Sequence, residues 1–432
     1  MKLNIKQTVL IGLSFASILA FWQFYDQLIP VILENHFGRS TRLTNAIMSI
    51  DNVLAIFMLP IFGRLSDRTK TRIGRRTPYI LFGTVAAVAL MIVMAVITEG
   101  KNFLGFFFCL MLLLIVMSIY RSPAVAYMPD VTPKPLRSKG NAVINLVGYV
   151  GGIFSTIVMT FLVKSTVSSD GTLEYSSFIP IFAVVAAFML ITVMIMVFAL
   201  NENKIVREAN IGADEAEEAA KPGGKLEKPV IRSLVFLLLS VFLWFMAYNG
   251  VTTSFSRYFE NVYSVDAGDS SLYLTLATVS AIAAFIPLGI ISSKIGRKKT
   301  ILLGIALMTF CYMAIFLLPK TGALMYIIFA IVGIAWAGIN VNSFPMVVEM
   351  CHSADVGKYT GYYYAFSMAA QIVTPLLSAL LITSFGFGYR VLFPYAAVFS
   401  ALSFITMLFV KHGDSKPEEK KSILEHFDVD AD

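Results

Sequence analysis

Stretches of about twenty apolar residues recur along the whole length of this chain. They lie near residues 9–34, 44–64, 77–98, 103–127, 141–163, 177–200, 233–253, 271–293, 299–318, 324–348, 360–384 and 391–410. Each is long enough to cross a hydrocarbon layer about 30 Å thick. No soluble core accommodates so much apolar side chain. Of the 432 residues 57% are hydrophobic, the mean hydropathy is +0.76, and a dissolved surface must be polar. The expected fold class is an all-α polytopic membrane protein with twelve transmembrane helices.

The net charge of +7 would suit nucleic acid, but the positions of the charges argue against it. With both termini on one side, Lys and Arg gather on that side. Arg64, Arg68, Lys70, Arg72, Arg75 and Arg76 fall there, as do Lys134, Arg137, Lys139, Lys294, Arg297, Lys298 and Lys299. The other side holds scattered ones such as Arg39, Arg42, Lys101, Lys164, Lys320 and Arg390. By the positive-inside rule both ends are cytoplasmic, which fits a cell (plasma) membrane protein. Cys109 and Cys311 sit in spans and Cys351 at a helix end, so no disulfide framework is indicated. The first apolar run is too long for a signal peptide and lacks a small-residue cleavage site, so it is expected to stay as a helix.

Residues 201–232 form a long polar stretch rich in charge and containing Pro222, Gly223, Gly224 and Pro229. It reads as a flexible cytoplasmic linker between a six-helix bundle at 1–200 and a second at 233–410, with a charged tail at 411–432 whose SILEHF segment suits a short amphipathic turn. The halves echo each other. Residues 60–83 and 287–304 both end an apolar helix in Ile-Gly-Arg followed by Arg or Lys, and both then begin another helix. Two repeated bundles suit a transporter whose halves rock around a midplane site.

Residues 63–83 read GRLSDRTKTRIGRRTPYILFG. Gly63, Asp67-Arg68 and Gly74-Arg75-Arg76 resemble the loop 2–3 motif of the major facilitator superfamily. Four extra residues before the triplet, and Thr-Pro-Tyr-Ile after it, are similar to the glycoside–pentoside–hexuronide:cation symporters and most of all to their sucrose/disaccharide proton symporter branch. The resemblance implies a secondary transporter that takes up a sugar or glycoside, such as sucrose or maltose, with a proton. It implies a gating role for Gly63, Asp67, Arg68, Gly74, Arg75 and Arg76. Physically, a carboxylate at the end of span 2 can hold the N-terminus of a helix from the other half through its free N–H groups. The plainer alternative is that Asp67 only neutralises nearby arginines.

Ionisable residues inside spans are costly and mark function or a buried pair. Asp26 lies in span 1, Asp51 in span 2, Arg121 in span 4, and Glu349 at the end of span 10. Gln23, Asp26 and Pro30 fall near one stripe, with Gln27 beside them. Carboxylate and amide groups suit sugar hydroxyls, Trp22 or Tyr25 can stack on a pyranose, and the stretch resembles a family segment whose acid binds sugar. Pro123, Pro129 and Thr132 match the family's span-4 pattern, but Arg121 stands where the melibiose branch has a cation-linked aspartate. The paired aspartates expected in span 2 fall at Ala55 and Leu59. Hard cations need several oxygen ligands, so proton coupling is favoured and no metal site is expected. Arg121 stays charged and needs a negative partner. Asp26 is the candidate: paired it stays ionised, and with Arg121 drawn away burial favours the neutral acid. Asp51 is the rival proton site. None of the four histidines is mid-span.

Further candidates line the same region. Trp244, Tyr248 and Asn249 follow helical spacing in span 7, where Gly250 is expected to let the helix bend. Asn340, Asn342 and Pro345 in span 10, and Gln371, Thr374 and Pro375 in span 11, suit a cavity wall or plain interhelical bonding. Residues 145–152 in span 5 read as close packing, with Asn145 a possible ligand. The substrate-binding set is thus Gln23, Asp26, Gln27, Arg121, Asn145, Tyr248, Asn249, Asn340 and Gln371.

Competing functions are a proton-coupled exporter of drugs or metabolites on the same fold, a sodium-coupled sugar symporter, and a membrane sensor. The sensor would need a larger cytoplasmic module. No phosphate-cradling Gly-x4-Gly-Lys-Ser/Thr and no nucleophile–base constellation is present, so neither an ATP-driven pump nor an enzyme is expected. The expected partners are a small-molecule sugar, a proton and the bilayer, with no cofactor, no nucleic acid and a monomer as the default.

Overall fold

The computed structural model describes residues 3–167, 173–209 and 226–414. Among them twelve helices are long and apolar enough to cross a membrane. Spans 1 to 6 are Ile5–His36, Thr41–Arg68, Thr77–Glu99, Phe103–Val131, Lys134–Leu162 and Ile179–Ala199. Spans 7 to 12 are Lys228–Thr253, Asp269–Ile295, Arg297–Leu317, Ala323–Glu349, Val356–Ile382 and Tyr389–Leu408. Several begin where side chains satisfy the free N–H groups of the first turn: Asn4 accepts from Gln7, Ser40 from Leu43 and Asn102 from Gly105. Between the spans lie a short hairpin of Ser165–Val167 with Leu173–Tyr175 and a nine-residue helix, Phe255–Tyr263.

Small residues set the packing inside each half. A Cβ on Gly151 of span 5 would lie 2.0 Å from the Ala16 carbonyl oxygen of span 1, and one on Gly333 of span 10 would lie 2.0 Å from that of Ala277 in span 8. Backbones therefore approach as closely as helices in lipid allow. Gly250 makes room for a ring from another span. Span 7 runs unbroken through it, and a Cβ there would press on the Tyr395 ring of span 12 at 2.6 Å.

The halves meet mainly along span 2 with span 11 and span 5 with span 8, and also where span 4 meets span 11 and span 5 meets span 10. The expected linker does not start as free chain. Glu202–Ala209 is helical and Glu202 is buried, while residues 210–225 and the tail from 415, including the SILEHF segment, lie outside the described residues. The two loops with the repeated Ile-Gly-Arg both turn at a glycine of positive φ, +120° at Gly74 and +99° at Gly296, a region that L side chains rarely adopt. Both feed the first turn of the next span at the same end of the bundle, here called the basic end.

Candidate functional site

Asp26, Asp51 and Arg121 come from spans 1, 2 and 4 and lie within electrostatic reach of one another. Asp26 and Gln27 are exposed and Gln23 is half-buried, so this part of span 1 faces open space. Gln27 donates to the Thr156 hydroxyl at 3.5 Å, and Asp51 accepts from the Asn52 side chain at 2.9 Å. Among the described residues no carboxylate lies within ion-pair distance of Arg121. Its guanidinium instead stands between two rings, 5.1 Å from the centroid of Trp22 and 5.0 Å from that of Tyr364 in span 11. Such contacts stabilise a cation modestly and do not themselves use its five N–H donors. Asp26 and Arg121 thus share a site without forming a direct bridge.

Spans 7 and 10 supply an aromatic wall. Tyr248 of span 7 lies flat on Trp336 of span 10, with centroids 3.9 Å apart and planes 6° from parallel. They line a cavity of about 120 Å³ with Tyr149, Tyr312, Thr252 and Thr278. An engineered cavity of about 150 Å³ holds a benzene, so this one suits a single ring and not two. Asn249 is half-buried with its side-chain nitrogen unpartnered. Asn145 and Asn340 donate to backbone carbonyls of their own helices, at Asn141 and Trp336. Gln371 is half-buried in span 11.

The basic end is closed by contacts between the halves. Asp67, buried at the end of span 2, accepts the backbone N–H groups of Gly357 and Lys358 at the start of span 11, each at 2.8 Å. Gly63, one turn earlier, lets span 11 approach: a Cβ there would sit 1.9 Å from the Gly357 carbonyl oxygen. Arg76 holds Asp67 at 2.6 Å and Asp130 of span 4 at 2.7 Å, and also donates to the Ser66 hydroxyl. Arg75 binds Asp130 at 2.6 Å. Burial alone would lower the pKa of Arg76, but Asp130 and Asp67 outweigh it and hold the guanidinium above its ordinary value. Arg68 is exposed. On the other side of the seam, Glu349 of span 10 binds Arg137 of span 5 at 2.5 Å and Arg297 of span 9 at 3.1 Å. Arg297 reaches the other half, donating to Ser138 Oγ at 2.8 Å and to the Lys134 carbonyl. Asn141 donates to the Asn340 and Val341 carbonyls, both at 3.0 Å.

The profile described as Major Facilitator Superfamily matches residues 11–354 and 264–428. The chain belongs to the Major Facilitator Superfamily. Membership makes it a transporter and not an enzyme. Curated relatives are distant. It is 25% identical over 280 residues to Hippocampus abundant transcript 1 protein of Mus musculus, covering 64% of this chain and 53% of that one. It is 26% identical over 179 residues to lactose permease of Lactobacillus helveticus, covering 39% and 28%. The chain therefore matches about half the length, or less, of these relatives. Among solved structures, superfamily members share the fold at low identity. The human organic anion transporter MFSD10 superposes with a TM-score of 0.70 at 15% identity, over 94% of this chain and 100% of that one. The proton:xylose symporter XylE gives 0.68 at 15%, over 94% and 95%, and FucP in the outward conformation gives 0.69 at 14%, over 95% and 99%.

Sequence reasoning missed Glu202. Its carboxylate accepts the N–H groups of Arg75, Arg76 and Thr77 at 2.9 Å each, and the Thr77 hydroxyl at 2.7 Å. It caps the first turn of span 3. Asp414 does the equivalent for span 9, accepting from the N–H of Arg297 at 2.6 Å and of Lys298 at 3.3 Å. Each superfamily half thus anchors its third helix with an acid that follows its sixth. A Glu two residues past an apolar run was the only signal available.

Proposed function

We propose that this transporter takes up a sugar or glycoside of about disaccharide size together with a proton, by alternating access in a plasma membrane with the basic end cytoplasmic. The observation that carries this reading is Arg121 between Trp22 and Tyr364, without a bridging carboxylate, beside Asp26 and Asp51. Vicinal hydroxyls match a guanidinium fork and a carboxylate. The Tyr248–Trp336 wall offers a ring-sized recess for a second sugar unit. A relative named lactose permease and a structural neighbour named a proton:xylose symporter agree with a sugar. The symporter-like run from Ser66 to Ile80 adds to it.

Proton exchange falls to Asp26, with Asp51 the rival and Arg121 the group that substrate hydroxyls would draw away. The Asp67 contact with Gly357 and Lys358 would act as the cytoplasmic latch, supported by Gly63, Gly74, Arg75 and Arg76, with Arg68 at its exposed edge. Opening must break buried charge contacts between the halves. On opening both partners of each pair become hydrated, so the end can open without leaving a buried charge uncompensated, and substrate and proton binding bias that step.

A second reading has its own observation. An unbridged guanidinium beside stacked aromatic rings also suits an organic anion, and the human neighbour is named as an organic anion transporter. Counterflow in proteoliposomes separates the two. Labelled sucrose, maltose or another glucoside should exchange into vesicles preloaded with the same sugar. Exchange of aromatic carboxylates with no exchange of any sugar would overturn the first reading.

A further inference from the structure

A second pocket lies at the basic end, far along the chain from the residues proposed for sugar and proton. It has a volume of about 550 Å³ and is lined by Lys228, Pro229, Arg232, Ser233, Phe409, Lys411 and His412. These belong to the start of span 7 and the segment leaving span 12. Among the described residues the lining holds two lysines, one arginine and one histidine and no carboxylate. Among the described residues none of the three full cations is in an ion pair.

The surroundings keep those charges available. His412 bonds through Nδ1 to the Ser233 hydroxyl at 2.8 Å, and the same hydroxyl oxygen accepts the Lys411 N–H at 3.1 Å, which fixes the two segments to each other. The carbonyls that end span 12 would attract the nearby lysines. Lys298 takes them instead, donating from Nζ to Leu408 and Val410 at 2.9 and 2.6 Å. Asp414, the nearest acid after His412, faces away onto the Arg297 and Lys298 N–H groups. Glu227 is exposed at the other lip. Span 7 also begins here, so its free N–H groups add positive potential.

Directly along the two helices from this pocket the surface is apolar. Val235 and Leu239 of span 7, Ile405 and Leu408 of span 12, and the neighbouring Phe409, are exposed. Phe236 stacks on Phe409 at 5.1 Å, and Arg232 lies 5.8 Å over the Phe236 ring. A charged pocket that opens onto a greasy strip, at the end of a membrane helix pair, has the shape of a ligand with an anionic head and acyl chains. We infer that this pocket binds the headgroup of an anionic phospholipid, with Lys228, Arg232 and Lys411 on the phosphate and the acyl chains along Val235, Leu239, Ile405 and Phe409. Basic pockets between membrane helices are suited to such headgroups, and the volume is of the ligand-pocket class.

The test is binding of phosphatidylglycerol to the purified full chain in neutral detergent, read by native mass spectrometry and by thermal unfolding. Phosphatidylcholine and inorganic phosphate are the comparison arms. Phosphatidylglycerol should bind saturably and raise the melting temperature, and phosphatidylcholine should not. Each removed charge is worth about a five-fold change, so Arg232→Gln with Lys411→Gln should weaken binding on the order of 20-fold. Arg64→Gln, exposed elsewhere at the same end, should leave it unchanged. Where the double variant does not fold, the exposed Lys228→Gln alone should still give the smaller loss. Equal binding of both lipids, an unchanged affinity in the variants, or a phosphate effect as large as the lipid's would overturn the assignment. The result stands or falls whether or not any sugar is transported.

Discussion

Asp67 and Gly357 lie 290 positions apart and are joined by a 2.8 Å hydrogen bond in which a buried carboxylate accepts a backbone N–H. The bond closes the basic end where span 2 of one half meets span 11 of the other. The same carboxylate also accepts from Lys358 and from Arg76, so one side chain ties a helix start, a loop and a second helix. Charge-assisted bonds of this kind are worth about twice a neutral one.

Removing that charge should loosen the latch. In Asp67→Asn, Arg76 loses one of its two carboxylate partners and the Gly357 and Lys358 N–H groups keep only a neutral acceptor. Cys351 beside the latch reports the opening. Burial pushes its thiol above the ordinary range, with Arg137 opposing it, so its thiolate is scarce while the end is closed. With Cys109 and Cys311 replaced, maleimide labelling of Cys351 should accelerate on the order of tenfold in Asp67→Asn. Labelling at the parental rate would show that Asp67 does not hold the end shut.

Gly63 gives a steric version of the same test. A methyl group there has nowhere to go, because the Gly357 carbonyl would lie 1.9 Å from it. Gly63→Ala should therefore push spans 2 and 11 apart and raise Cys351 labelling without changing any charge. Gly100, whose added Cβ would meet nothing closer than 3.6 Å, is the control and should tolerate alanine.

Glu202→Gln should lower thermal stability more than Asp414→Asn. Glu202 is buried and serves three N–H groups and a hydroxyl, while Asp414 is exposed and serves two N–H groups. Leaving a buried donor unpaired costs about 1–3 kcal/mol, whereas an exposed one turns to water. Unfolding followed by fluorescence in detergent gives the order, and equal shifts would contradict it.

Arg121→Lys should fail nearly as completely as Arg121→Gln. A point-charge ammonium lacks the planar fork that fits between the Trp22 and Tyr364 rings and presents several donors to a substrate. Substrate affinity by counterflow is the readout. Full activity in the lysine variant would reduce Arg121 to a mere positive charge.

The twelve spans were legible because lipid imposes one simple rule on length and hydropathy, and the described helices match them to within a few residues at most ends. The Asp67 contact was legible mainly through the resemblance of the run from Gly63 to Arg76, which left open whether the acid holds a helix start or neutralises arginines; it does both, and the repeated Ile-Gly-Arg marked the matching turns at Gly74 and Gly296. Glu202 was not legible. It is one of several acids in a polar stretch, and its partners at Arg75, Arg76 and Thr77 lie more than a hundred residues away. Gly250 was legible only in part. Permission to bend and permission to pack look identical in sequence, and the Tyr395 ring shows the packing role. The lack of a direct Asp26–Arg121 bridge was equally hidden. Charge pairing predicted a bridge, and the Trp22 and Tyr364 rings took its place.

The most direct test of proton-coupled sugar uptake is the external pH of a lightly buffered cell suspension on adding sucrose, maltose or another α-glucoside. The parental chain should alkalinise the medium. Asp26→Asn should abolish that signal. Sugar uptake with no alkalinisation, or a signal that survives in Asp26→Asn, would contradict the account.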